Sequence, residues 1–509
     1  MGEKSAIRNP QSAILRDLRV MKFGGTSVGD AERIRATAAI VAEHTRQQPT
    51  VTVVSAMAKV TDQLLKTAHA AAAGDVVAVQ ENLAAIGARH AEAARELLDG
   101  ERLESFEAAT FPIFAEVENT CDGIRHLGYC PARALDIVLG AGERLSALLL
   151  AATLSQSGTP AQACDATRLV ITDANFGEAE PQIEPTTARL REAVPGLLAQ
   201  GIAPIIAGFI GGTADGTPTT LGRGGSDYSA TLVAACLNAA DVIIWTDVEG
   251  IFSADPNLVP NARVLPAVTY QEAAELSYYG AKVLHPKTLA PLAERGIPVW
   301  TKSSFRPEAP GTVIAPRGTH GLDGGGSGAR AVTALKKAVL ITVESTGQLS
   351  AMRIMSRAFS ALDHEGIDLL MLSQASCEES FCFAVQAGDA ERVLRRLQES
   401  FAVELAHGYI RPLSLQDGVA ILALIGSGMR GAVGIAGKLF GALWAARVNV
   451  IAIAQGATET NISVAVEEAA LANAVRAVHR ALLEGAKATG GEQENQSADF
   501  ADSADSPGS

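Results

Sequence analysis

The sequence predicts an α/β protein with a mostly parallel sheet, followed by a pair of smaller repeated units. Apolar runs rich in β-branched residues alternate with Ala/Leu-rich stretches through the first 300 residues. A 28-residue stretch beginning at Ala358 recurs 81 residues later, and a glycine-rich segment precedes both copies. Strands that are apolar on both faces and alternate with helices are typical of a parallel sheet covered on both sides.

Composition and charge exclude several classes of protein. A chain of 509 residues corresponds to about three domains, and its 48% hydrophobic content is enough to build their cores. It contains no run of about 18 apolar residues, and the N-terminal 17 residues lack an apolar signal core, so we expect no membrane association. The net charge of −14 argues against a nucleic-acid partner. Six cysteines without a CxxC pair predict no metal site and a reduced, cytoplasmic compartment.

Five apolar runs predict the strands of the main sheet, and helical patterns fill the intervals. The predicted strands are 18–23, 51–55, 203–210, 241–246 and 297–301. The predicted helices are 31–45, 62–69 and 226–238, with a further helical excursion over 70–118. The predicted organisation is an N-terminal extension (1–17), a main domain (18–314), a flexible linker (315–330), a tandem repeat domain (331–484) and a disordered acidic tail (485–509).

The internal repeat aligns 358–385 with 439–466 without gaps, and seven of the 28 positions are identical. Both copies have the pattern helix, short turn, strand, polar turn, strand, which predicts two βαββ units that form a module for binding a small ligand. Gln374 and Gln455 hold matching positions directly after an apolar strand. Either these glutamines cap strand ends, or they bind the ligand.

Two glycine-rich turns are candidate anion sites. Lys22, Gly24 and Gly25 follow a predicted strand and precede a helix, where backbone N–H groups and a lysine suit a phosphate. The spacing is not that of a P-loop, and a plain tight turn with a surface lysine is the alternative. Arg223, set among glycines, suits bidentate capture of a carboxylate, whereas Asp227 opens the next helix and could simply stabilise its N-terminus.

Two further segments carry charged residues with open roles. Glu143 lies at the start of an apolar helical run, where it binds a substrate ammonium group or favours the helix N-terminus. Lys282 lies in a helix that Pro286 is expected to end, and it is a candidate phosphate contact. His285, directly before that proline, is expected to be structural.

Taken in order, the motifs KFGGTSV, VVSAM…VTD, GERLSA, TTLGRGGSDYSA, WTDVEGIFSADP and GAKVLHP resemble the aspartokinases, over about residues 18–466. The resemblance implies the amino-acid-kinase fold, an αβα sandwich with a mostly parallel sheet, followed by two ACT-like βαββ regulatory repeats. The implied reaction transfers the γ-phosphoryl group of ATP to the side-chain carboxylate of L-aspartate. That reaction opens the synthesis of lysine, threonine and methionine.

The resemblance also implies roles for individual residues. Catalysis falls to Lys22, Asp227 and Lys282, and aspartate binding to Ser55, Thr61, Glu143 and Arg223. Nucleotide contacts are implied at Lys22, Gly24, Gly25, Thr246, Asp247, Phe252, Lys282 and Val283. Phe252 stands where the family often has tyrosine, and Asn257 where it often has arginine. Gln374 and Gln455 are implied effector contacts, with threonine ahead of lysine as the effector.

The chemistry agrees with this set of residues. An aspartate side chain has a pKa near 3.9, so it is already an ionised nucleophile and needs no general base. The reaction needs alignment of two anions and charge neutralisation by lysines, backbone amides and Mg²⁺, with the metal held mainly through the ATP phosphates. We expect a cytoplasmic homo-oligomer assembled through the ACT repeats.

The sequence leaves two alternatives to a regulated kinase. A catalytically silent amino-acid-sensing subunit would be expected to lack Lys22, Arg223 or Asp227, and the sequence has all three. A bifunctional kinase–homoserine dehydrogenase has the most similar repeats. However, only about 25 residues follow the second repeat here, and a dehydrogenase domain is not expected among them.

Overall fold

An eight-stranded sheet forms the centre of the N-terminal half of the chain, in a computed structural model that describes residues 14–281, 284–317, 328–347, 349–374 and 380–484. The strand order is β3-β4-β2-β1-β7-β9-β10-β8, and every neighbouring pair is parallel except β9–β10. A hairpin of β5 and β6 lies beside it. The strands are β1 Arg19–Phe23, β2 Thr50–Val54, β3 Ala161–Cys164, β4 Ala203–Ala207, β5 Ile210–Gly212, β6 Pro218–Thr220, β7 Asp241–Thr246, β8 Ala267–Thr269, β9 Val299–Ser303 and β10 Thr312–Ala315.

Ten helices described in this half cover the sheet. They are α1 Ala31–Gln47, α2 Val60–Ala72, α3 Val76–Leu97, α4 Gly100–Leu127, α5 Ala132–Gln156, α6 Ala166–Leu169, α7 Ile183–Ala199, α8 Gly225–Leu237, α9 Tyr270–Tyr278 and α10 Pro286–Ala293. The central strands β2 and β4 are buried at every residue, which explains their continuous apolar sequence. The prediction of a mostly parallel sheet covered on both sides is confirmed.

Three sequence-based predictions need correction. The run predicted as one strand at 203–210 is split into β4 and β5, because Phe209 adopts a left-handed conformation (φ 67°) that ends the strand. Glu143 does not begin a helix: it lies in the middle of α5. Pro286 does not end a helix but begins α10, since proline is well tolerated at the first helical position, where the backbone N–H has no partner.

A six-stranded antiparallel sheet forms the C-terminal half, in the order β12-β13-β11-β14-β16-β15. Its strands are β11 Ala331–Glu344, β12 Met371–Gln374, β13 Ser380–Gln386, β14 Ser414–Ile425, β15 Ala452–Gln455 and β16 Asn461–Glu467. Its helices are α11 Ala351–Asp363, α12 Ala390–Ser400, α13 Ala402–Ala406, α14 Ile435–Ala445 and α15 Leu471–His479. Residues 318–327 of the predicted linker (315–330) and the predicted tail at 485–509 lie outside the described residues, whereas Ala315 ends β10.

The two repeats have the same register, as the repeated sequence predicts. Gln374 pairs with Phe381 in the first unit, and Gln455 pairs with Ile462 in the second. The two edge strands, β12 and β15, also contact each other, because the Ser373 hydroxyl donates to the Ile453 carbonyl at 2.9 Å. The sheet therefore curls until its edges meet, and this brings the two glutamine-bearing strands together.

One described helix, α5, is long and apolar enough to cross a membrane by length and composition alone. However, 72% of its most apolar 18-residue window is buried inside the fold, as in the core helix of a globular domain. The same helix carries Asp136 and Glu143, both almost fully buried. Its apolar sequence is accounted for by packing within the fold.

Candidate active site

A cleft of about 410 Å³ lies at the carboxyl edge of the parallel sheet. Strand β1 has β2 as its neighbour on one side and β7 on the other, so the order of the strands changes direction at β1. Such a topological switch point is where open α/β sheets typically bind their ligands. Seven sequence-predicted site residues line this cleft: Lys22, Gly25, Ser55, Thr61, Glu143, Arg223 and Asp227. Folding brings together residues that are as far as 205 positions apart in the sequence (227 − 22).

A buried ion pair forms one wall of the cleft. Lys22 lies near the end of β1, and its Nζ atom is 2.6 Å from Oδ1 of Asp227, in the first turn of α8. The side chains are 11% and 26% exposed, so both charges are largely withdrawn from bulk water. An ion pair of this kind fixes the position of the Lys22 ammonium group at the edge of the cleft.

The Gly24–Gly25 turn follows Lys22 closely. A Cβ atom at Gly25 would lie 2.9 Å from the carbonyl oxygen of Ala56, so only glycine lets this turn approach the segment after β2. Ser55 directly follows β2, and Thr61 lies in the first turn of α2. The close approach places the turn and both hydroxyl-bearing residues around the same cleft.

Glu143 is the most deeply buried titratable group among the described residues of the cleft, at 3% exposure. Burial raises its pKa to about 7, although hydrogen bonds from the backbone of Ala56 and the positive charge of Lys22 act in the opposite direction. Its Oε2 atom has no hydrogen-bond partner among the described residues. A buried carboxylate oxygen without a partner is costly, and it suits a cationic ligand group.

The raised pKa predicts how Glu143→Gln changes stability with pH. In the folded wild-type protein Glu143 keeps its proton up to about pH 7, whereas in the unfolded chain it loses the proton near pH 4.5. Between these two pH values folding must bind a proton or bury an ionised carboxylate, so the unfolding free energy of the wild type falls as the pH rises. The glutamine variant lacks this cost. We expect its unfolding free energy, relative to wild type, to rise by on the order of 3 kcal/mol from pH 5 to pH 8.

Urea unfolding at both pH values measures this difference, and the exposed α4 residue Glu118, changed to Gln, is the matched control. A difference between wild type and Glu143→Gln that stays constant from pH 5 to pH 8 would contradict the raised pKa.

Arg223 projects from a loop that glycine makes possible. Gly222 and Gly224, on either side of it, both have φ 72°, a conformation that other residues rarely adopt. No ion pair or hydrogen bond holds the Arg223 guanidinium within the described parts of the chain. The arginine is therefore exposed at the cleft and available to an anion.

Sequence reasoning missed Asp136, which anchors this loop. Its carboxylate, 1% exposed, accepts hydrogen bonds from the Thr220 backbone N–H (2.9 Å), the Thr220 hydroxyl (2.7 Å) and the Gly177 N–H (2.9 Å). Burial raises the pKa of Asp136, and these hydrogen bonds oppose the rise. Asp136 lies seven residues, or two helical turns, before Glu143, so the two side chains share one face of α5. This spacing indicates a site residue only when the helix is known to begin before Asp136.

The sequence-predicted nucleotide residues are not all in the cleft. Thr246 ends β7 beside Gly24, Asp247 follows it, and neither lines the cleft itself. Phe252 lines a separate groove of about 480 Å³ between the segment after β7 and β11 of the C-terminal half. Lys282 and Val283 lie outside the described residues. His285 caps α10, since its Nδ1 atom accepts from the Lys287 N–H at 3.2 Å.

Family models match most of the chain. The amino acid kinase family matches residues 17–303, and the ACT domain matches residues 341–401 and 422–482. The chain is 36% identical over 462 residues to the chloroplastic bifunctional aspartokinase/homoserine dehydrogenase 2 of Zea mays, covering 90% of this chain and 50% of that protein. It therefore spans about half the length of the bifunctional relatives.

A relative of similar length and a solved structure agree with this match. The aspartokinase of Schizosaccharomyces pombe is 31% identical over 494 residues, covering 91% of this chain and 92% of that protein. E. coli aspartokinase III in complex with aspartate and ADP (R-state) superposes with a TM-score of 0.75 at 28% identity, covering 92% of this chain and 100% of that chain. With its kinase fold, its paired repeats and its cleft at the switch point, the chain belongs to the amino acid kinase family, among the aspartokinases.

Proposed function

We propose that this chain transfers the γ-phosphoryl group of ATP to the side-chain carboxylate of L-aspartate, giving ADP and 4-phospho-L-aspartate. The observation that carries the proposal is the cleft itself, where the Lys22–Asp227 pair, the buried Glu143 and Arg223, which has no partner among the described residues, converge. Aspartate has two carboxylates and one ammonium group. The cleft therefore offers charges complementary to each part of this substrate.

The proposed step needs positioning more than acid–base chemistry. An aspartate carboxylate oxygen attacks the γ-phosphorus, and the bond from this phosphorus to the bridging oxygen breaks, so that ADP leaves with the electron pair. Arg223 and Glu143 hold the α-carboxylate and the ammonium group, with Ser55 and Thr61 beside them. Lys22, kept in place by Asp227, and the Gly24–Gly25 turn neutralise charge on the phosphates.

Mg²⁺ fits this donor set as a companion of the nucleotide. The cleft contains the carboxylates of Asp62 and Asp227, and Mg²⁺ takes one or two carboxylates together with substrate phosphates. When bound, the ion would neutralise the transferring phosphoryl group. Thr246, Asp247 and Phe252 are the proposed contacts of the rest of the nucleotide, with Lys282 and Val283.

Measuring ADP release from the purified chain with MgATP, in the presence and absence of L-aspartate, tests the proposed reaction. Hydroxylamine added to the mixture should trap the acyl phosphate as a hydroxamate. Aspartate-dependent ADP and hydroxamate support an active kinase. If aspartate binds but neither product forms, the chain is instead a catalytically silent amino-acid sensor.

We infer that the reaction opens the synthesis of lysine, threonine and methionine in the cytoplasm, in a homo-oligomer assembled through the ACT repeats, and that threonine regulates it. Gln374 and Gln455 are exposed at the ends of the two edge strands, which contact each other. An edge strand offers unpaired N–H and C=O groups, and a side-chain amide offers a donor and an acceptor for an amino acid. Lysine is the alternative effector, as in the lysine-bound E. coli aspartokinase III (T-state).

The expected result of Gln374→Ala or Gln455→Ala is that threonine inhibition weakens about tenfold, the effect of losing about 1.4 kcal/mol of effector binding, with little change in uninhibited turnover. Inhibition curves with threonine and with lysine measure this. Gln386→Ala, at the end of neighbouring β13, is the matched control. Inhibition by lysine alone, or threonine inhibition unchanged in both variants, would contradict the assignment.

Regulation needs a physical connection between the repeats and the cleft, and α9 offers one. Buried Glu272 accepts hydrogen bonds from the N–H (2.7 Å) and hydroxyl (2.9 Å) of Ser427, the second residue after β14. One helical turn later, Glu275 accepts from the Asn461 amide at 2.7 Å, six residues after Gln455. Since α9 ends four residues before Lys282, a shift of the second repeat can reach a proposed catalytic residue through this helix.

A further inference from the structure

Lys59 has an unusual backbone conformation at the rim of the cleft. It precedes α2 with φ 70° and ψ −4°, the left-handed region that a lysine rarely adopts. Conformations of this kind persist where the surrounding structure imposes them, and they cluster at functional sites. Lys59 also lines the cleft, on the short segment between Ser55 and Thr61.

Several contacts hold the segment in this shape. Arg89 of α3 donates from Nη1 to the carbonyl of Ala58 at 2.6 Å, and from Nη2 to the carbonyl of Gly29 at 2.5 Å. The Ala58 N–H donates to the Gly25 carbonyl at 3.1 Å. Arg89 thus fastens the Lys59 turn to the segment before α1, and the Ala58–Gly25 bond fastens it to the glycine turn that follows β1. The contacts that hold the left-handed conformation of Lys59 are therefore made by neighbouring residues and not by the Lys59 side chain.

The charges of the cleft leave Lys59 without a partner. Among the described residues, three cationic side chains line it, namely Lys22, Lys59 and Arg223, and Lys22 is paired with Asp227. For the ammonium group of Lys59, the described parts of the chain offer no ion pair or hydrogen bond. Two cations without a partner in the described part of the chain therefore face the cleft, together with the unpartnered Oε2 of buried Glu143.

This pattern matches a ligand with two anionic groups and one cationic group. We propose that Lys59 binds a carboxylate of the acceptor amino acid, opposite the carboxylate held by Arg223, and so selects a dicarboxylic acceptor. The proposal rests on the proposed function, since it assigns a residue of the same site. The proposal assigns Lys59 to the acceptor because it shares its segment with Ser55 and Thr61. The glycine turn packs against the same segment, so the test below separates binding of the acceptor from binding of the nucleotide.

Lys59→Gly is a sharp test because glycine suits the left-handed conformation. The variant removes the charge and relieves the backbone, so its thermal midpoint should not fall below that of wild type. We expect the KM for aspartate to rise at least tenfold, with the KM for ATP within twofold of wild type. Lys59→Arg, which retains the charge, should recover most of the affinity for aspartate.

Lys337→Gly is the matched control, because Lys337 is a left-handed lysine (φ 56°) in β11 of the C-terminal half. It should leave both KM values unchanged. A wild-type aspartate KM in Lys59→Gly would overturn the proposal, as would equal losses in Lys59→Gly and Lys59→Arg, which indicate a packing role. A rise in the ATP KM alone would also overturn it. Failure of the wild-type chain to phosphorylate aspartate would refute the proposed function instead.

Discussion

Replacing Lys22 by alanine is expected to lower the turnover number by about 10²–10³-fold, the effect of removing about 3–4 kcal/mol of transition-state stabilisation. The ammonium group lies beside the glycine turn: it is 3.6 Å from the position that a Cβ atom at Gly24 would occupy. It is thus placed to neutralise charge that increases as the phosphoryl group transfers. Steady-state kinetics at saturating aspartate and ATP measure the loss.

Loss of the buried pair also leaves Asp227 without its cation, so stability must be measured alongside activity. Arg19→Ala is the matched control: Arg19 begins the same strand and pairs with Asp241 at 2.6 Å, but at the opposite edge of the sheet. We expect this control to lose stability while keeping most of its turnover. Wild-type turnover in folded Lys22→Ala would refute the role of Lys22.

Replacing Arg223 by alanine is expected to lower kcat/KM for aspartate by about 10²-fold, or about 3 kcal/mol. The guanidinium has no protein partner in the described chain, so its contribution should come almost entirely from the ligand. The loop itself is held by Asp136 through Thr220, not by Arg223. Protein stability should therefore change little, and the KM for ATP should stay within twofold of wild type.

Titration of each substrate with the other saturating separates the two effects, with the exposed α7 arginine Arg189, changed to Ala, as control. If ATP binding collapses in Arg223→Ala while the aspartate KM is unchanged, Arg223 belongs to the nucleotide side of the cleft.

Local sequence was sufficient for the elements with strong periodicity. The strand at 241–246 and the helix at 226–238 were predicted to within a residue, because an uninterrupted apolar run and a glycine-flanked helical pattern leave few alternatives. The two βαββ units followed from the repeat, since equal spacing requires equal register. The prediction of one strand over 203–210 is wrong because Phe209 serves a tertiary contact. Its left-handed conformation separates β4 from β5, and its side chain lines the cleft.

The sequence by itself determined the alternation of strands and helices, the paired repeats and the residue types suited to binding an anionic substrate. Only the tertiary structure decided which of these residues meet. It brought Lys22 onto Asp227, buried Glu143 in mid-helix and placed Phe252 in a different groove. It also exposed Arg223 and Lys59 at the cleft, without partners among the described residues. The physical reason is that pairing, burial and backbone strain depend on contacts between segments far apart in sequence, which local patterns do not encode.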